Sequence, residues 1–137
     1  MRMIEAIKAL RSELTPLCDK VAQTLIYPQE EAEIGANNRY ASIILADAEP
    51  SETEGSRTWV LTASIIGIIK TQDEDIAEMR DDFMDSIASK LYRNPNAKLT
   101  ITRINVSNAL KSFGFEAGVF PPYAAFEIMV AIPFDIR

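Results

Sequence analysis

The sequence has 137 residues, the length of one ordinary domain, and its 47% hydrophobic and 25% charged residues are globular averages that argue against disorder. Fourteen Lys and Arg against twenty Asp and Glu leave a net charge of −6, which disfavours partners met mainly through phosphate contacts, because such binding draws on clustered cations. The absence of histidine excludes Ser-His-Asp and Cys-His nucleophile systems and imidazole metal sites, and the lone cysteine, Cys18, excludes an internal disulfide and a cysteine-cluster zinc site.

The N-terminal stretch carries charges every few residues and has no uninterrupted apolar run of the kind a secretory signal needs. The longest apolar run, residues 60–69, contains Thr62, Ser64 and Gly67 and is far short of the roughly 20 residues of a membrane-spanning helix. The expectation is a protein made, and at first kept, in a cytoplasm.

Met3, Ile7, Leu10, Leu14, Leu17, Val21 and Leu25 recur every three to four residues and predict an amphipathic first helix. Pro16 interrupts its hydrogen-bond ladder and predicts a kink, or two short helices with Thr15 capping the second. Cys18 lies on the flank of this stripe, where a buried structural thiol is expected. Tyr27-Pro28 ends the helix, and residues 29–38 are polar. Residues 40–47 read as a strand. Residues 47–55, with Asp47, Glu49, Glu52, Glu54, Pro50 and no cation, read as an acidic turn. Residues 57–70 are the longest strand, with Trp59, Leu61, Ala63 and Ile65 on one face and Val60, Thr62, Ser64, Ile66 and Ile68 on the other.

A second helix is predicted over residues 73–93, opened by a Thr71/Glu74 capping box and stopped by Asn94-Pro95-Asn96, with Ile76, Met79, Phe83, Ile87 and Leu91 as its buried stripe. Residues 99–106 and 123–134 alternate as a third and a fourth strand, joined through a Phe- and Gly-rich loop at 111–122. The pattern predicts a single α+β domain over residues 1–137, with a mostly antiparallel four-stranded sheet and two principal helices in the order α-β-β-α-β-β. Two helices of about 10 Å cover one face of a sheet about 19 Å wide, so the other face should be wet. The long strands are instead apolar on both faces, with Glu127 the only charge in the last one. Either the helices sandwich the sheet or a second subunit covers what they leave bare, and the second reading is preferred here.

No chemistry announces itself. The five glycines are too scattered to cradle a phosphate, and neither a Ser-x-x-Lys pair nor a Gly-x-Ser-x-Gly elbow occurs. The sequence predicts no catalytic, cofactor-binding or metal-ligating residue, and no enzyme. Glu78, Asp81, Asp82 and Asp85 fall opposite the apolar stripe of the second helix, read first as a solvated face, then as a charged contact with another subunit, with an oxygen-ligand site for Mg²⁺ or Ca²⁺ the least favoured. Arg80 falls inside that stripe, either snorkelling along the sheet or reaching acids at 47–54 of a neighbouring copy. The loop phenylalanines Phe113, Phe115 and Phe120 either fold back over the core or form a docking arm that orders on a partner. With Arg57, the candidate interface residues are therefore Arg57, Arg80, Asp81, Asp85, Phe113, Phe115 and Phe120.

In the order and texture of its elements the chain resembles the tail terminator proteins of long-tailed bacteriophages, also called minor tail or tail-completion proteins. The features that carry the resemblance are the N-terminal helix, Arg39-Tyr40-Ala41-Ser42-Ile43-Ile44-Leu45, the acidic turn, and Arg57-Thr58-Trp59-Val60-Leu61-Thr62-Ala63-Ser64-Ile65-Ile66. The helix around Asp75-Ile76-Ala77-Glu78-Met79 and the final apolar strand complete it. The resemblance implies a homo-oligomeric ring, commonly of six subunits, that caps the tail tube at its head-proximal end and stops its polymerisation. It implies as partners the tube protein on one side and a head-completion or neck protein on the other. DNA would pass without specific binding, and no membrane would be involved. Assembly would take place in the host cytoplasm, and the virion tail would be the final location. A neck connector of similar size, and a small bacterial ligand-binding or regulatory module, are the alternative readings. Replacing Phe115 and Phe120 with Ser should leave a folded chain that docks poorly, seen as unchanged circular dichroism with reduced partner binding; loss of the folded signal would instead make the loop part of the core.

Overall fold

The computed structural model describes residues 1–25, 34, 38–51, 57–93, 99–106 and 123–136. Helix α1, Met3–Leu14, buries Ala6, Ile7, Leu10 and Leu14 on one stripe. It then tightens into a 3-10 turn, Thr15–Leu17, with Pro16 in its first positions. Proline supplies no N–H, so the α-helical ladder stops there. The Thr15 hydroxyl donates to the Arg11 carbonyl at 2.8 Å, and by Cys18 the backbone is extended, with φ −127° and ψ 153°.

The predicted helix therefore ends about ten residues early. Lys20–Gln23 is a strand, β1. It pairs in parallel with β2, Arg39–Pro50, in the register Lys20 to Tyr40 through Gln23 to Ile43. Val21 fits the helical stripe by spacing and is buried, but as a strand residue, while Leu25 is 96% exposed. Several bonds fix this junction. Asp19 N–H donates to the Arg39 carbonyl at 2.8 Å, and Asp19 Oδ2 accepts from Asn38 and Arg39 N–H at 3.0 and 2.9 Å. Arg11 Nη2 donates to the Val21 carbonyl at 3.0 Å.

The remaining elements are β3, Thr58–Lys70; α2, Ile76–Tyr92; β4, Thr100–Asn105; and β5, Tyr123–Asp135. Among the described residues the sheet has five strands in the order β1-β2-β3-β5-β4, antiparallel except for the β1–β2 pair. The four-stranded prediction is corrected to a five-stranded mixed sheet, and the α+β class stands, with α1 and α2 as the two predicted helices. The element order gains a strand between α1 and β2. That strand was missed because four residues cannot reveal a period of two inside a stretch that also fits 3.6.

β2 runs through the first half of the predicted acidic turn, so Asp47, Glu49 and Pro50 are strand residues, all exposed. Within it a bulge sets Ala46 and Asp47 against Thr62. Such an extra residue bends a strand and breaks the regular edge. A second bulge at Thr102 of β4 is pinned by the Thr102 hydroxyl, which donates to the Met129 carbonyl at 3.2 Å. The predicted capping box does not form. Thr71 Oγ1 accepts from Asp73 N–H at 3.2 Å in the preceding turn, and α2 begins at Ile76 after Asp75, which makes no side-chain cap. Ile76 and Met79 are half-buried, leaving Phe83, Ile87 and Leu91 as the buried residues of α2.

Both helices lie on one face of the sheet. Leu10 and Leu14 of α1 and Phe83, Ile87 and Leu91 of α2 join Ile43, Ile65, Phe126, Ile128 and Val130 in the main core. The helix sandwich considered from sequence is therefore not the arrangement. At the centre of this core Gly67 stands opposite Phe126. A Cβ on Gly67 would come within 2.1 Å of the Phe126 ring, and that ring meets Phe83 edge to face, with centroids 5.3 Å apart at 81°. The first residues are tied to the end of β5, where the Met1 ammonium pairs with Asp135 Oδ2 at 2.7 Å and Asp135 N–H donates to the Met1 carbonyl at 2.7 Å.

Gly67→Ala should destabilise the fold by about 2 kcal/mol or more, because overpacking a filled core forces backbone or rotamer strain. In a Phe126→Ala background the same change should cost much less, since the cavity accepts the methyl. Urea denaturation of the two single variants and the double variant reads both effects.

Candidate functional site

Strand alternation sends the second set of side chains to the sheet face opposite the helices. At one end of this face Tyr40, Ile66, Ile68, Tyr123 and Ala125 are buried around Ile34, which is itself fully buried. The buried Ser42 hydroxyl meets that of Thr24 on the same sheet. Half of the doubly apolar pattern is thus closed within the chain. Ile44, half-buried, packs against this cluster, and at the other end Val60, Thr62, Met129 and Ala131 are only half-buried. On β4, Arg103 stands opposite Met129 and Thr100 opposite Ala131, so a polar margin borders this apolar strip. Ile104 stands opposite the core residue Ile128, on the helix side of this edge strand, and is 44% exposed.

The second surface feature is acidic. Asp73, Glu74, Asp75, Glu78, Asp81, Asp82 and Asp85 are all exposed on or just before α2. This acidic face has one anchor across to the sheet. Arg39 Nη2 pairs with Asp82 Oδ2 at 3.3 Å, and the same guanidinium lies 5.1 Å from the centre of the Phe83 ring. Arg39 therefore joins β2 to α2 by charge and by stacking on an aromatic face. Among the described residues no group of three or more Cys, Asp or Glu is arranged to hold a metal ion.

The candidate interface residues separate in space. Arg80, Asp81 and Asp85 share α2, and Arg80 Nη2 pairs with Asp81 at 3.0 Å. Arg57 lies on another element, just before β3, where its carbonyl accepts from Ile136 N–H at 3.1 Å. Phe113, Phe115 and Phe120 lie outside the described residues, as do the stop at 94–96 and the polar segment's residues 29–33 and 35–37. Sequence reasoning missed Arg39 as the link between sheet and helix; its only signal was a cation at the start of an apolar strand.

A groove of about 280 Å³ opens between α1 and the end of β5, lined by Ala6, Leu10, Thr58, Leu99, Ile132 and Phe134 among others. Cys18, expected to be a buried structural thiol, is half-buried against the main core. Burial pushes its pKa up to about 11, opposed by the nearby Arg39 charge and reinforced by Asp19.

No protein-family model and no curated protein matches the chain. Among solved structures it is similar to the sheath/tube terminator of an extracellular contractile injection system, PVC, seen by cryo-EM in the extended state. The TM-score is 0.48 and the sequence identity 17%, over 100% of this chain and 57% of that one. That neighbour is a terminator. The match supplies no residue-by-residue correspondence. No helix among the described residues is long and apolar enough to cross a membrane.

Two outcomes test this geometry. Asp82→Asn should change stability by less than about 1 kcal/mol, because an exposed ion pair is screened by water, whereas Arg39→Ala should cost more by also uncovering the Phe83 ring; thermal melts of both variants at low and high salt check the order. The raised Cys18 pKa keeps the folded thiol neutral where the unfolded one ionises. Stability should therefore fall as pH rises from about 9 towards 11, and labelling by a disulfide reagent at pH 8 should be slow until urea unfolds the chain.

Proposed function

We propose that the chain is a non-enzymatic structural subunit that caps the tube of a tail-like particle, acting by covering a surface and offering a new one. The observation that carries this reading is the half-open strip of Val60, Thr62, Met129 and Ala131 on the outer sheet face. A sheet face meant for water alternates to polar side chains, whereas an unfinished apolar strip with a polar margin suits a protein contact. The sequence resemblance to tail terminators supplies the kind of assembly that such a strip would serve.

In this reading the copies close into a ring, six in number by the resemblance. A ring uses heterologous contacts, so one side of each copy must fit the opposite side of the next. Arg57, Arg80, Asp81, Asp85 and the phenylalanines at 113, 115 and 120 are the proposed contact residues, facing other copies, the tube protein or a head-completion protein. Arg80 already pairs with Asp81, so an intersubunit role would have it exchange or share that partner. The groove between α1 and β5 favours a second reading, a small ligand-binding module, because concave apolar sites with a polar end suit small molecules.

Native mass spectrometry over a wide concentration range, with negative-stain images of the same samples, separates the two. Closed rings are the expected result. A strict monomer that also ignores isolated tail-tube ends would sink the capping reading and leave the ligand-binding module. Arg80→Glu should shift self-association to higher concentration; an unchanged association curve would remove Arg80 from the interface.

A further inference from the structure

We draw no further inference here: the strongest candidate, the apolar groove between α1 and the end of β5 lined by Leu10, Leu99, Ile132 and Phe134, is an unpartnered apolar surface, and nothing in the structure shows what covers it.

Discussion

The packing of the Phe126 ring over Gly67 is the contact on which the rest of the fold depends. These two residues face each other across the central strand pair, β3 with β5, and only a residue without a Cβ leaves room for the ring. The ring in turn meets that of Phe83 edge to face and so sets where α2 lies on the sheet. Stacking of this kind is worth about 0.5–1.5 kcal/mol beyond the area it buries. Its larger effect is positional, because a filled core admits few alternative registers.

From Phe83 the constraint passes outward. Arg39 stacks on the same ring and pairs with Asp82, which holds the start of β2 beside α2. Asp19 grips the backbone N–H groups of Asn38 and Arg39 and brings in β1 from the far side. β1, β2 and α2 are thus located by a short chain of contacts running through Arg39. The exposed part of that chain, the ion pair, contributes little; the buried aromatic contacts carry most of the placement. The outer sheet face is a consequence. With both helices committed to one side, the other side is left to Ile34 at one end and stays half-open at the other.

Much of this architecture was legible in the sequence because β3, β5 and α2 are long and strongly patterned. The two faces predicted for β3 match the observed register, where Leu61, Ala63 and Ile65 stand opposite Ile132, Val130 and Ile128 in the core. β1 was not legible, because Val21 satisfies a helical and an extended pattern equally well and only Pro16 hinted at the break. Nor was the Thr71 turn: its hydroxyl meets Asp73, a local alternative that competes with a capping box at the same spacing. Of the candidate interface, the shared face of Asp81 and Asp85 followed from helical phase and the separate position of Arg57 from strand order, while the pairing of Arg80 with Asp81 ran against the phase, which set Arg80 in the apolar stripe.

The sequence by itself determined the α+β class, the single apolar stripe of each helix, the acidic outer face of α2 and the missing histidine chemistry. These are properties of composition and local period, which survive any arrangement of the elements. Only the tertiary structure decided that both helices share one face, that a fifth strand joins in parallel, and that Arg39 ties sheet to helix. Those outcomes depend on contacts between residues far apart in the chain, where a ring such as that of Phe126 meets a gap such as that of Gly67, and no local pattern encodes such a meeting.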